Sequence, residues 1–277
     1  MVIGGGIGGM QCALDLADTG FRVYLVEQSP TLGGTMARLD KTFPTNDCST
    51  CMISPKLVQV AGHPNIEIMT GTRLLHLAGE PGRFTARVEE QPRYVIAEKC
   101  IACGACSEKC PKKVPDVFNG ELSVRKAAYL TFPQAVPLKY ALDPQNCLYL
   151  TRGRCGLCKK TCPTGAIDFE QQPAVRELAV GALVLAGGFE LALTHGHGEY
   201  GFDRYRNVVS SLQYERILSA TGPYGGHIRR PSDGTPPSRV AWIQCVLSRD
   251  PSRGRPFCSS VCCMHAAKQA VLTRQHH

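Results

Sequence analysis

The chain opens on a short apolar run, Val2-Ile3, that gives way at once to Gly4-Gly5-Gly6-Ile7-Gly8-Gly9. Beyond these glycines, apolar residues recur at helical spacing from Gln11 to about Thr19, and Gly20 ends the stretch. Phe21-Arg22-Val23-Tyr24-Leu25-Val26 then reads as a strand closing on Glu27. Strand, glycine turn, helix and strand make a βαβ unit. Its first strand is shorter than the usual length of about 5–6 residues, so a few residues ahead of Met1 are expected to be missing. A second apolar run, Val180 to Gly188, reads as a later strand and turn. Toward the end, a Pro/Gly/Ser-rich loop from Gly222 to Ser238 precedes an expected strand, Val240-Ala241-Trp242-Ile243-Gln244, and a helix from about Ser259 to Thr273. Between the two halves, residues 93–172 follow neither period and carry eight cysteines. The pattern predicts an α/β, Rossmann-like domain made of residues 1–92 and 173–277, interrupted by an inserted α+β domain at 93–172.

The glycine turn carries chemistry. It fits G-x-G-x-x-G: Gly4 and Gly6 let the backbone turn tightly and approach a pyrophosphate, Gly9 lets helix pack on strand, and Ile7 and Gly8 open the helix N-terminus that faces the phosphate charge. Glu27 stands at the end of the second strand, where an acid accepts ribose hydroxyls. Gly33-Gly34 follow soon after, and Val184-Leu185-Ala186-Gly187-Gly188 come much later. This arrangement resembles the two-dinucleotide-binding flavoprotein superfamily, in which such turns pack beside one FAD. The resemblance favours FAD over NAD at this site.

Fifteen cysteines are the unusual feature of the composition. They fall in tight groups, and no export signal precedes them, so metal or redox chemistry in a reducing, cytoplasmic compartment is expected rather than a disulfide scaffold. Cys100-x2-Cys103-x2-Cys106-x3-Cys110-Pro111 matches the bacterial ferredoxin run, and Cys147-x7-Cys155-x2-Cys158-x3-Cys162-Pro163 is its partner with about five extra residues. In such pairs the fourth cysteine of each run crosses to the other cluster. Cys100, Cys103, Cys106 and Cys162 are thus assigned to one [4Fe–4S] cluster, and Cys147, Cys155, Cys158 and Cys110 to the other. Zinc also takes paired C-x2-C motifs, but it needs no reciprocal endings of this kind.

Two cysteine groups remain. Cys245-x12-Cys258-x3-Cys262-Cys263 lies at an expected strand end and helix start, where a second nucleotide-binding βαβ unit would begin. A third [4Fe–4S] cluster in place of a nicotinamide site is the reading, against buried structural cysteines or zinc. Cys48-Ser49-Thr50-Cys51, followed by Pro55-Lys56, is either a redox pair or a half set of cluster ligands. Cys12 falls on the core side of the first helix, and the eight histidines show no ligand spacing.

A net charge of +8 is spread over the chain in single residues and short pairs. That argues for a solvated surface and an acidic protein partner rather than a nucleic-acid footprint. No run of about 18 apolar residues is present to span a membrane.

Taken in order, these pieces resemble the HdrA family, the iron–sulfur flavoprotein subunits of heterodisulfide reductase. The match is carried by Gly4–Gly9, Leu39-Asp40-Lys41-Thr42-Phe43-Pro44-Thr45, Cys48 and Cys51 with Pro55-Lys56, the ferredoxin runs, Phe132-Pro133-Gln134-Ala135-Val136-Pro137, Gly225 to Gly234, and the group from Ile243 to Cys263. The resemblance implies an FAD- and iron–sulfur-dependent oxidoreductase subunit that relays or bifurcates electrons. Its implied partners are the other subunits of such a complex and a ferredoxin, hydrogenase or dehydrogenase-type donor. It further implies that the chain is a fragment or shortened paralogue, and that Leu247 stands where the family has glycine. Two other functions are compatible with the residues: a self-contained flavin disulfide reductase using Cys48 and Cys51, and a flavin-free electron-wiring module.

Overall fold

Burial begins with the first residues of the chain. In a computed structural model, which describes residues 1–189, 191 and 198–276, strand β1 (Val2–Ile3) enters the glycine turn and helix α1 (Ile7–Asp18) leaves it. Met10, Ala13, Leu14 and Ala17 form the inward stripe of α1, as a 3.6-residue period requires. Strand β2 (Val23–Glu27), helix α2 (Ser49–Gly62) and strand β3 (Ile66–Thr70) follow. The long strands β4 (Thr72–Glu80) and β5 (Arg83–Glu90) then form a hairpin with a bulge between Leu74 and His76.

The cysteine-rich insert is built of short pieces. They are helix α3 (Ala105–Glu108), strands β6 (Lys113–Pro115), β7 (Val124–Lys126), β8 (Ala128–Tyr129) and β9 (Ala141–Leu142), and helices α4 (Leu148–Arg152) and α5 (Leu157–Thr161). Strands β10 (Ala174–Val180) and β11 (Val184–Leu185) return the chain to the first domain. Helices α6 (Ser211–Leu218) and α7 (Cys262–Gln275) complete the elements.

A parallel sheet of order β11-β1-β2-β3 and an antiparallel sheet of order β10-β5-β4 form the Rossmann-like part. Val2, Leu25, Leu32, Ile53, Leu57 and Val60 are buried with the inner face of α1 in one core. The insert has its own core, in which Cys100, Cys106, Cys147 and Cys158 are buried with Val95, Leu142, Ile167 and Phe169. Pairs β6–β7 and β8–β9 are antiparallel. Two small hairpins, short helices and a core half made of cysteine cannot bury enough apolar surface to be robust alone.

The residues group into two compact units. One comprises Met1–Ala37, Ile53–Phe118 and Val124–Gly188, and the other Arg38–Met52, Asn119–Ser123 and Phe189–His277. Within the first, insert and nucleotide-binding part are joined by backbone. Leu32 N–H donates to Val136 O at 2.8 Å, and the Arg93 guanidinium donates to Pro30 O and to Thr70 Oγ1.

In the second, Tyr214, Ile217, Leu218, Ile228 and Leu272 form the core between α6 and α7. Ser210 closes a capping box on Gln213 at the start of α6, a device worth about 1 kcal/mol. The expected strand at 240–244 does not form. Val240 and Trp242 pack on that core, but no neighbouring strand among the described residues pairs with the segment. Helix α7 starts at Cys262 rather than near Ser259.

Candidate functional site

Three sites arise from the elements above. The first is the glycine turn. Gly4 has φ +110°, and a Cβ there would lie 2.1 Å from Ala186 O; one on Gly9 would lie 1.8 Å from Gly4 O. These two glycines are demanded by the fold. Gly6 and Gly8 are not: a Cβ on Gly6 meets nothing closer than Gly34 Cα at 3.9 Å, and one on Gly8 meets nothing within 4 Å. Gly6 is also the N-cap of α1, with no side chain capping the first turn and no acidic residue in it. Open space over uncapped helix N–H groups is what a pyrophosphate fills.

Gly33 and Gly34 clasp this turn from the other side. Gly33 N–H donates to Gly5 O at 2.9 Å, and a Cβ on Gly34 (φ +55°) would lie 2.9 Å from Gly6 Cα. Glu27 accepts Gly5 N–H at 2.6 Å through Oε2 and Ser29 N–H at 2.7 Å through Oε1, so the acid is held rigidly at the end of β2. Sequence reasoning missed Gly5, whose Cβ would meet Leu32 Cδ2 at 2.5 Å; nothing local signals that contact. Gly187 and Gly188 follow β11 beside β1 with open space around them. Cys12 is half-buried against the core.

The second site is the cysteine core of the insert. One cavity is lined by Cys110, Cys147, Cys155 and Cys158 together with Leu142 and Tyr149. The last cysteine of the first run thus joins three of the second. Burial pushes the Cys158 thiol up to about 11, and neighbouring Cys147, Cys110 and Cys155 add to the rise against a hydrogen bond from Lys159 N–H.

Around Cys106 the same holds more strongly. Burial raises it to about 12, with Cys100, Cys158 and Cys103 adding to the rise. Thiols this crowded resist ionising unless a cation neutralises them, and an iron–sulfur cluster does so. Cys103 and Cys155 are exposed at the rim. Cys162 packs at the same core, and its Sγ accepts Ala166 N–H at 3.2 Å. Lys139 and Lys126 donate to the carbonyls of Cys100 and Cys110 at 2.6 and 2.7 Å, placing positive charge beside both groups.

The third site lies in the second unit. The Cys263 thiol is raised chiefly by Cys262, and further by Cys245 and Cys258, so the four cysteines share one neighbourhood. Cys262 is lowered, first by the Ser259 hydroxyl that donates to its Sγ at 3.3 Å. Ser260 N–H donates to Cys258 Sγ at 3.3 Å. The loop is strained: Cys245, Leu247, Arg249 and Ser260 all have φ between +54° and +69°, a region that disfavours side chains. Leu247, expected to be glycine from the family resemblance, is one of them.

Cys48 and Cys51 do not join any of these groups; they are disulfide-bonded to each other. Among the described residues no three Cys, His, Asp or Glu side chains converge on a single-ion site. Of the histidines, His195, His197 and His277 lie outside the described residues. His265 Nε2 lies 2.8 Å from buried Glu215. No helix is long and apolar enough to cross a membrane.

Comparison with known proteins agrees with this layout. Residues 2–54 match the family model of the NAD(P)-binding Rossmann-like domain, and residues 93–116 match that of the 4Fe-4S binding domain. The chain is 50% identical over 277 residues to a CoB–CoM heterodisulfide reductase iron-sulfur subunit of Methanopyrus kandleri. It is 48% identical over 276 residues to the corresponding iron-sulfur subunit of Methanocaldococcus jannaschii. It is 44% identical over 274 residues to a subunit of the H(2):CoB-CoM heterodisulfide,ferredoxin reductase of Methanothermobacter marburgensis. These matches cover 99–100% of the chain but only 41–42% of each relative. With a Rossmann-like turn, a ferredoxin-type insert and this identity along its whole length, the chain belongs to the HdrA family of heterodisulfide reductase iron–sulfur subunits, of whose curated members it spans about two fifths.

Proposed function

We propose that the chain is the FAD- and cluster-carrying part of an electron-transfer oxidoreductase subunit of heterodisulfide reductase type. When bound, FAD exchanges electrons singly or in pairs and the iron–sulfur clusters pass single electrons. Gly6 and Gly8 leave room for the pyrophosphate, the N–H groups opening α1 receive its charge, and Glu27 faces the ribose from the end of β2. Gly33, Gly34, Gly187 and Gly188 bring backbone close to the same ligand. Cys100, Cys103, Cys106 and Cys162 hold one [4Fe–4S] cluster; Cys147, Cys155, Cys158 and Cys110 hold a second. Cys245, Cys258, Cys262 and Cys263 hold a third, and residues 93–172 act as the relay between flavin and partner subunits.

The observation that carries this reading is the cavity that Cys110 shares with Cys147, Cys155 and Cys158, because reciprocal ligation is the mark of a two-cluster electron relay. Two of the relatives named above are heterodisulfide reductase iron–sulfur subunits, and a third couples H(2), heterodisulfide and ferredoxin. Partner subunits of such a complex, and a ferredoxin- or hydrogenase-type donor, are therefore the proposed electron partners.

Anaerobic purification with iron, sulfide and flavin measured on one sample tests the reading. About twelve irons and one FAD per chain are expected. About eight irons without flavin would overturn it in favour of a flavin-free wiring module.

A further inference from the structure

Cys48 and Cys51 take no part in the function proposed above, and the second unit places them in a specific setting. They form a disulfide with a Cα–Cα distance of 5.2 Å, and both residues are exposed. Met52 N–H donates to Cys48 O at 3.0 Å, the first helical bond of the 14-residue α2, so Cys48 is its N-cap. Cys51 N–H donates to Cys48 Sγ at 3.2 Å. The sulfur of Cys48 thus occupies the place of a capping oxygen, where a backbone donor and the positive end of the helix favour a thiolate. Cys51 sits within the first turn, and Pro55, which has no N–H, removes the helical donor its carbonyl would receive.

The ground under this turn is also unusual. Ser49 N–H donates to Asp40 O at 3.1 Å, and Lys41 pairs with Cys48 in an antiparallel bridge. Asp40 Oδ2 and Ser49 Oγ are buried polar atoms without a hydrogen-bond partner. Such atoms are rare in folded proteins and recur at redox and catalytic positions.

We propose that Cys48 and Cys51 are an exchangeable dithiol–disulfide site for small thiol–disulfide couples, with Cys48 as the reacting sulfur and independent of the iron–sulfur clusters. In the reducing direction, a thiolate of an external dithiol attacks Cys48 Sγ. The Cys48–Cys51 bond breaks and Cys51 leaves as a thiolate, which takes a proton from water. The second thiolate of the reductant then attacks its own sulfur in the mixed disulfide. Cys48 is released as a thiolate beside the Cys51 N–H, and the reductant departs as a disulfide. Two electrons pass from the dithiol to the protein, and a small disulfide reverses the exchange. An exposed disulfide of this kind is the labile type rather than the structural type.

The tryptic peptide from Thr42 to Lys56 contains Cys48 and Cys51 and no other cysteine, so the site can be read separately from the remaining thiols. The full chain is incubated anaerobically in dithiothreitol buffers of graded redox poise, alkylated, and analysed by mass spectrometry, with iron measured in parallel. Two alkylated thiols in that peptide under reducing poise, none under oxidising poise, and reversal on adding oxidised dithiothreitol are expected. A peptide that stays disulfide-bonded, or stays alkylated, at every poise would overturn the proposal.

Glutathione disulfide identifies the reacting sulfur. Cys51→Ser should form a mixed disulfide at Cys48 at least about tenfold faster at neutral pH than Cys48→Ser forms one at Cys51. Equal rates would remove Cys48 from its role. A fall in iron in both variants would make the pair cluster ligands and overturn the site. Should either variant fail to fold, the wild-type redox titration decides by itself.

Discussion

Lys268 Nζ donates to Glu215 Oε1 at 2.5 Å, with only 3% and 0% of the two side chains exposed. The same carboxylate oxygen lies 2.8 Å from His265 Nε2 and accepts Gln269 Nε2–H at 2.8 Å, and Oε2 accepts Asp40 N–H at 3.0 Å. Lys268 further donates to Lys41 O at 2.8 Å. One carboxylate therefore ties α6, α7 and the loop of residues 40–41. Removing its charge leaves a buried ammonium uncompensated, which costs about 3–5 kcal/mol. Glu215→Gln is expected to lower stability by that order in urea unfolding. Lys268→Met should cost less, because His265, Gln269 and the Asp40 N–H still serve Glu215.

The pH dependence follows from the same hub. Burial alone would raise Glu215, but the His265 hydrogen bond and then the charge and hydrogen bond of Lys268 overcome it and hold the carboxyl at about 2, below its ordinary 4.5. A carboxyl depressed in the folded state stabilises fully above 4.5, and that contribution is lost as pH falls toward 2. Asp40 has the opposite sign, raised first by burial and then by Glu215, so its ionisation works against the fold as pH rises. Thermal unfolding across this range should show the wild type losing stability on acidification and Glu215→Gln losing far less. Asp40→Asn should leave the midpoint at pH 7 unchanged or raise it; a clear fall would contradict the sign.

What the sequence shows and what it hides divide along the length scale of the contacts. The ferredoxin runs are legible because ligand spacing is local, and the same holds for the glycine turn and Glu27. The Glu215–His265–Lys268 hub is illegible because it joins positions about fifty residues apart, each an ordinary charged residue on an ordinary helix. Gly5 reads as a variable position, yet Leu32 leaves it no room for a side chain. The alternation at 240–244 is real, since Val240 and Trp242 do pack inward, but a strand also needs a partner that the sequence does not announce. Cys48-x2-Cys51 leaves two chemistries open until the backbone shows Cys48 capping α2.

The crossing of cysteines between the two runs makes a paired prediction. Cys110→Ala should damage the cluster whose other ligands are Cys147, Cys155 and Cys158, while Cys162→Ala should damage the one at Cys100, Cys103 and Cys106. Each variant should lose up to about four irons and keep the electron paramagnetic resonance signal of the other cluster. If Cys110→Ala and Cys162→Ala gave the same residual signal, the crossing would be wrong.

Leu247 offers a test of loop strain. Its φ of +54° costs a side chain about 1–2 kcal/mol, and glycine removes that cost. Leu247→Gly is expected to raise the thermal midpoint without changing iron content; a lower midpoint would mean that the side chain contributes more than its backbone loses.

The glycine turn allows folding and cofactor binding to be separated. A Cβ on Gly4 or Gly9 drives into a backbone oxygen at 2.1 or 1.8 Å, so Gly4→Ala and Gly9→Ala should fail to fold normally whatever ligand is present. Gly6 is different: its φ of −76° suits any residue, and its Cβ would point into open space. Gly6→Ala should therefore keep the midpoint of flavin-free protein within about 0.5 kcal/mol of wild type. The added methyl then occupies the space assigned to the pyrophosphate, and FAD affinity measured by fluorescence quenching should drop at least about tenfold, or 1.4 kcal/mol. An unchanged affinity would place the dinucleotide elsewhere, and a collapsed midpoint would mean that Gly6, like Gly4, serves the fold.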